Sequence, residues 1–271
     1  MAQDTVFYQK IKRIFDRNSS PLVMGILNIT PDSFFDGGKY TTEQAWLEQT
    51  KQMIDDGADM IDIGAYSTRP GAKDISEQEE SERLIPAILS IRKAFPQVLI
   101  SVDTFRASLA EKAIEAGANI INDISGGTMD EKMFPTIAKL NVLYVLMHIQ
   151  GTPQTMQVNP QYKDVVSEVF SYLSEKLEIL KKLGVEKVIL DPGFGFGKTV
   201  EHNLKLLENL KEIEKLGQPV LVGISNKSFV NKIMNINKLD SVNGTSVLNK
   251  IAVQNGASIL RVHDVKEAKK L

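Results

Sequence analysis

Eight short runs rich in Val, Ile and Leu recur along the chain. They are LVMGILNI (22–29), DMIDIG (59–64), QVLISVD (97–103), NIINDI (119–124), VLYVLMH (142–148), KVILD (187–191), PVLVGIS (219–225) and ASILRVH (257–263). The runs are continuous rather than alternating, the pattern of strands buried on both faces in a parallel sheet. Amphipathic segments separate them. From 204 to 217, Leu204, Leu207, Leu210, Ile213 and Leu216 recur at steps of three and precede Gly217, which predicts a helix with a glycine stop. Val165, Val169, Leu173, Leu177 and Leu180 mark another, ended by Gly184. DGAD (56–59), AGAN (116–119) and NGAS (255–258) repeat one local script of helix end, glycine turn and next strand. Eight strands alternating with helices over roughly 250 residues predict a (β/α)8 TIM barrel. A doubly wound open sheet is the competing α/β architecture, but the strand count of eight and the even spacing favour the barrel. Residues 1–20 predict an N-terminal extension helix over the barrel base. Only eight residues follow His263, so the last helix is short. No Ser/Gly/Pro-rich linker divides residues 1–271, which read as a single domain.

Composition narrows the function classes. The net charge of -2 gives no global basic field for nucleic acid and no polybasic membrane patch. The absence of Cys excludes disulfides, thiolate catalysis and Cys-based zinc sites, and the three His are too scattered for an obvious zinc motif. No apolar run approaches membrane-spanning length, and residues 1–20 lack a signal-peptide core. The expectation is a soluble cytoplasmic protein with neither nucleic acid nor membrane as partner.

In such a barrel the active site lies at the carboxyl ends of the strands. Those ends read Asn28, Asp62, Asp103, Asn122, His148, Asp191, Ser225 and the pair Arg261 and His263. One polar strand end is ordinarily a cap or a step into solvent; eight together point to a site. Arg261 and His263 stand two apart, so they share a face and suit an oxyanion such as phosphate. A carboxylate partner for Arg261, with His263 capping the next helix, is the plainer alternative. Asn122 and Asp123 are neighbours and must point to opposite faces, so one faces the mouth and the other fixes a loop.

DPGFGFGKT (191–199) ends like a phosphate loop, but Pro192 stands where that pattern requires Gly, and Lys198 stands where the dinucleotide fingerprint requires its third Gly. Both nucleotide readings fail. What remains is a strand-end Asp and a flexible loop bringing Phe194 and Phe196 towards a ligand. GISNKSF (223–229) opens a helix with Lys227 in reach of an anion or a polar heterocycle. GAYSTRPG (64–71) and TPDSFFDGG (30–38) are turn-rich loops beside the mouth, candidate lids.

In order along the chain, MGILNITPDSFFDGG, IDIGAYSTRPG, SVDTF, INDISGG, MHIQGTP, DPGFGFGK, GISNKSF and RVHDV resemble the successive motifs of the dihydropteroate synthases, from residue 24 to 265. The resemblance implies a barrel enzyme of folate biosynthesis, usually a homodimer and the target of sulfonamides. It joins 6-hydroxymethyl-7,8-dihydropterin diphosphate to p-aminobenzoate, releasing diphosphate and giving 7,8-dihydropteroate with the help of Mg2+. It implies that Asp103, Asn122, Asp191 and Lys227 hold the pterin, with Met147 against its ring. Asn28, Arg261 and His263 hold the diphosphate, with Asn28 meeting the metal. Thr68, Pro70, Phe196 and Ser228 shape the p-aminobenzoate pocket, while Phe34, Asp36 and Arg69 sit on mobile loops. Asp103, Lys227, Arg261 and His263 form the catalytic set. An SN1-like substitution, without a covalent enzyme intermediate, follows from that arrangement.

Two features depart from the family pattern. Its usual Ser-Arg-Lys-Ser is here SNKS, with Asn226 in place of Arg, and its last helix is usually longer. The rivals are a pterin-dependent methyltransferase, which needs no diphosphate or p-aminobenzoate site, and a catalytically silent pterin binder. The RVH pair and the two turn-rich loops argue against the first, and the full set of candidate catalytic residues against the second.

Overall fold

A computed structural model of the chain describes residues 2–16, 18–30, 42–68, 74–234 and 241–271. All eight apolar runs form strands: β1 (Leu22–Asn28), β2 (Met60–Gly64), β3 (Leu99–Asp103), β4 (Ile120–Asp123), β5 (Leu143–Met147), β6 (Val188–Asp191), β7 (Leu221–Val222) and β8 (Ile259–Val262). Every pairing is parallel, in the order β6-β5-β4-β3-β2-β1-β8-β7. A parallel bridge between Leu190 and Val220 joins the two ends of that order and closes the barrel. The helices are α1 (Ala2–Ile14), α2 (Glu43–Asp55), α3 (Glu77–Ala94), α4 (Ala107–Glu115), α5 (Met133–Leu140) and α6 (Val165–Lys182). They continue with α7 (Val200–Glu208), α8 (Leu210–Glu214), α9 (Ser228–Met234), α10 (Ser241–Gln254) and the short α11 (Val265–Ala268).

Strand parity builds two separate apolar layers. Leu22, Met24, Met60, Leu99, Ile120 and Ile259 belong to the cluster inside the barrel, whereas Val23, Ile61, Ile100, Ile121 and Leu260 belong to the cluster between strands and helices. Burial on both faces is why the runs do not alternate with polar residues. Phe7, Ile11, Ile14 and Phe15 join the inner cluster, so α1 and its end plug the barrel base. Arg13 pairs with Asp59 at 3.0 Å, and Lys10 donates to the Gln97 carbonyl at 2.6 Å, pinning the plug to segments that lead into β2 and β3.

The repeated glycine script is one physical device. Gly57, Gly117 and Gly256 have φ of 98°, 111° and 100°, and the Ala after each donates to the carbonyl five residues back. These are Schellman motifs, whose left-handed position favours Gly. The segment 204–217 differs from its expectation, for it forms two helices broken at Asn209 (φ −110°, ψ 23°). Steps of three fall short of the 3.6-residue turn, so a straight helix would rotate its stripe off the core. The break restores the facing of Leu210 and Ile213, at the cost of leaving Leu204 37% exposed.

The plug yields a stability prediction. Ile14 is 2% exposed, and Ile14→Ala should cost about 2–4 kcal/mol in urea unfolding, whereas Leu89→Ala at a 53% exposed position should stay within about 0.5 kcal/mol.

Candidate active site

The carboxyl ends of the strands open into a cleft of about 770 Å3. Asn28, Thr68, Asp103, Asn122, Met147 and Asp191 line it, with Phe196, Lys227, Ser228, Arg261 and His263. Sequence reasoning singled out every one of these. Phe34, Asp36, Arg69 and Pro70 lie outside the described residues.

Arg261 stands at the centre of the floor. Its Nε donates to Asp62 Oδ2 at 2.6 Å and its Nη2 to Asp103 Oδ2 at 3.1 Å. Gly223 lies across from it on the β7 side, where a Cβ would touch Arg261 Cβ and Cδ at an ordinary contact distance of 3.8 Å. Asp62 also accepts from Ser101 Oγ at 2.6 Å and Asn122 Nδ2 at 3.0 Å. Asp62, fully buried, is the group the sequence left without a role. It was visible as a polar residue in an apolar strand, but its partners lie 39 to 199 residues away. The carboxylate alternative for Arg261 is therefore real, and it coexists with cleft exposure, since Arg261 and His263 both line the cavity as their shared parity requires. Burial lowers the affinity of Arg261 for its proton, but the Asp62 and Asp103 carboxylates outweigh that and hold its pKa above the ordinary value. Burial raises the Asp103 carboxyl to about 7, with Arg261 opposing and Asp62 reinforcing the shift.

Asn122 and Asp123 divide as parity demands. Asn122 faces the cleft, while Asp123 accepts from Ser125 N, Ser125 Oγ, Gly127 N and Tyr144 Oη at 2.7–2.8 Å and fixes the loop after β4. At β5 it is Met147 that faces the cleft. His148 turns away from it and packs edge-on against Tyr172, with ring centroids 4.9 Å apart.

The loop after β6 is braced rather than flexible. Asp191 accepts from Gly193 N and Asn203 Oδ1 from Gly195 N, both at 2.7 Å. The Gly193 and Phe196 carbonyls accept from Lys198 Nζ at 2.9 and 3.1 Å, the Gly195 carbonyl from Gln157 at 2.6 Å, and the Gly197 carbonyl from Tyr162 Oη at 2.8 Å. Lys227 donates to the Phe194 carbonyl. Gly193 is there for close approach, since a Cβ would stand 1.9 Å from the His148 carbonyl oxygen. Phe196 reaches the cleft, but Phe194 does not: it is fully buried and stacked on Phe229 at 6.4 Å. Lys227 Nζ lies 4.5 Å from the Phe196 ring centroid, a cation–π contact. Burial lowers the Lys227 pKa to about 8, with Asp191 opposing, and raises that of Asp191, with Lys227 opposing. The third contact of the buried Lys198 ammonium is His148 Nδ1 at 2.9 Å. Burial pushes Lys198 down to about 7 against the pull of Asp191, and burial with the Lys198 charge pushes His148 down to about 2. His148 is therefore neutral and its Nδ1 accepts.

Asn226 has φ 56°. The left-handed region enriches Asn several-fold over other non-glycine residues, so Asn at this position eases the backbone while removing the charge an Arg would bring.

Among the described residues no group of three His, Asp or Glu could hold a metal. Asn28 offers a single side-chain oxygen at the end of β1. A Cβ on Gly64 would lie 3.6 Å from Asn28 Oδ1 and 3.8 Å from Asp103 Oδ2, so the two side chains border the same spot. One protein oxygen beside an open cleft fits Mg2+, which keeps several waters and takes substrate phosphate oxygens rather than a full protein cage.

The comparisons with known proteins agree with this geometry. The family model described as pterin binding enzyme matches residues 24–263. The dihydropteroate synthase of Synechocystis sp. is 44% identical over 256 residues, 93% of this chain and 88% of its own length. The crystal structure of the Yersinia pestis dihydropteroate synthase with a sulfonamide drug complex is similar, with a TM-score of 0.86 and 41% identity over 92% of this chain and 90% of that one. The Xanthomonas albilineans dihydropteroate synthase in complex with 7,8-dihydropteroate gives a TM-score of 0.82 and 35% identity, covering 94% and 92%.

The Lys198 brace can be read in a pH profile. Its pKa is about 7 when folded against 10.5 ordinarily, so between these values the unfolded chain binds more protons and stability rises with pH. Urea unfolding should show the wild type gaining stability relative to Lys198→Met across that window; parallel curves would remove the buried ammonium from the account.

Proposed function

The chain belongs to the pterin-binding enzyme family, and from that premise we propose how its cleft carries out the dihydropteroate synthase reaction. That transferase reaction of folate biosynthesis joins 6-hydroxymethyl-7,8-dihydropterin diphosphate to p-aminobenzoate and yields 7,8-dihydropteroate and diphosphate. The observation that carries the reading is the polar floor itself, where Asp62 and Asp103 converge on Arg261, Asn122 donates to Asp62, and Asp191 stands near Lys227. A pterin edge carries fixed donors and acceptors, and carboxylates, an amide and a lysine match it in kind. Asp103, Asn122, Asp191 and Lys227 bind the pterin, and Met147 packs on its ring. Thr68, Phe196 and Ser228 border the p-aminobenzoate, while His263, Arg261 and Asn28 face the diphosphate.

In the reaction the bond between the pterin methylene carbon and the diphosphate oxygen breaks, and its electron pair leaves with diphosphate. The carbon cation spreads into the pterin ring, where the buried carboxylates stabilise it. The aniline nitrogen then bonds to the carbon and releases its proton. Three carboxylates (Asp62, Asp103, Asp191) face three cationic side chains (Arg261, Lys227, Lys198), so the formal charges of the floor balance. The diphosphate is therefore a net addition of negative charge. When bound at Asn28, Mg2+ supplies positive charge to the leaving diphosphate oxygens.

Among the described residues no helix is long and apolar enough to cross a membrane. We place the reaction in the cytoplasm and expect a homodimer, for which the exposed Leu204 on α7 and Val242 and Val247 on α10 supply apolar surface.

Diphosphate release tests the reading: it should require the dihydropterin diphosphate, p-aminobenzoate and Mg2+ together, and pterin binding without release would move the chain to a silent binder. Asp103 adds a pH signature, because its carboxyl ionises near 7. The kcat/KM for the pterin substrate should rise as pH passes through 7, and Asp103→Asn should flatten that limb and lower kcat/KM by roughly 100-fold. An unaltered profile in the variant would take Asp103 out of pterin binding.

A further inference from the structure

The aniline nitrogen of p-aminobenzoate must reach the pterin methylene above the floor. Its carboxylate, on the opposite carbon of the ring, therefore points towards the outer end of the cleft. One wall of that end is α9. Phe229 is 5% exposed and Val230 fully buried, which seats the helix on the core and leaves Ser228 and Lys232 exposed. These two stand four residues apart, on one face of the helix. A helical side chain leans towards the N-terminus, so Lys232 lies over the turn that begins at Ser228. Both line the cleft. The other Lys and Arg side chains that line it among the described residues are already engaged. Arg261 is bonded to Asp62 and Asp103, Lys227 to the Phe194 carbonyl, and Lys198 to two loop carbonyls and His148. Lys232 makes no hydrogen bond or ion pair among the described residues. Glu201 faces the same end of the cleft from α7 and feels the Lys232 charge, but no ion pair joins them. Asn226, also at the cleft, brings no charge.

We propose that Lys232 is a specificity-determining residue for the acceptor substrate: its ammonium meets the acceptor's carboxylate at the outer end of the cleft and selects carboxylated anilines over neutral ones. This rests on the reading of the cleft as a dihydropteroate synthase site. The floor cannot supply that selection, because its cations are spent on its own carboxylates and carbonyls and lie at the other end of the acceptor ring. An exposed pair of opposite charges is worth little, and salt screens it. The effect is therefore a few-fold preference carried by the charge alone, leaving the pterin end of the cleft untouched.

The test compares a charged acceptor with a neutral one. Diphosphate release is followed with p-aminobenzoate as substrate, and 4-aminobenzamide, which keeps the aniline and lacks the charge, is scored as a competitor. Lys232→Gln should raise KM for p-aminobenzoate about 3-fold and Lys232→Glu about 10-fold, with Lys232→Arg close to wild type. The inhibition constant of 4-aminobenzamide and the KM for the pterin diphosphate should stay as in wild type, and added salt should shrink the gap between wild type and Lys232→Gln. An unchanged KM for p-aminobenzoate in Lys232→Glu would overturn the inference. So would equal weakening of both anilines, which would mark a change of shape rather than of charge. Failure of the underlying reading has its own signature, for then the wild type would release no diphosphate with p-aminobenzoate at all.

Discussion

The guanidinium of Arg261 between Asp62 and Asp103 is the contact on which the floor of the cleft depends. It ties β8 to β2 and β3, and through Asp62 it reaches Ser101 and Asn122. Taking such charges out of water costs several kcal/mol per ion, so the cluster is not there for stability alone. Its worth is in order. Each carboxylate has one oxygen fixed by the guanidinium, which aims the remaining capacity and sets the spacing of the groups that face a ligand. Counted together with Asp191, Lys227 and Lys198, the formal charges balance, so a heterocycle can enter without leaving a bare ion beneath it.

A second constraint governs the opposite wall. The loop after β6 has glycines at positive φ, which would leave it mobile in isolation. Its carbonyls are instead held by Lys198, Lys227, Gln157 and Tyr162, and its amides by Asp191 and Asn203. Glycine here allows the backbone to approach other backbone, and the buried lysine ammonium secures what that approach leaves open. Phe196 is thereby fixed at the cleft with Lys227 over its ring. The two walls meet through Asp191, which braces the loop and shares the floor with Arg261 and Lys227.

The sequence alone determined a good deal of this protein. Eight buried runs with helices between them, and three glycine stops of identical form, specify a parallel barrel because strand burial and helix termination leave local periodic signals. The polar residue at the end of each run located the site, since barrel geometry gathers those ends at one mouth. Adjacency was enough to separate Asn122 from Asp123, because side chains alternate along a strand. The succession of motifs supplied the substrates that geometry alone does not name.

The tertiary structure decided what no local pattern carries. The Asp62 to Arg261 bond spans 199 residues and exists only once the barrel closes. Whether a strand-end residue faces the cleft or the helices depends on where its strand stops, which is why His148 turns outward while Met147 lines the site. Composition marks a glycine-rich loop as loose, and only its surroundings show it braced. Likewise the break at Asn209 comes from the mismatch between a three-residue step and a 3.6-residue turn against a curved wall. Local periodicity fixes which elements form and which face they bury; partners, charge balance and side-chain tautomers follow from what closure brings together.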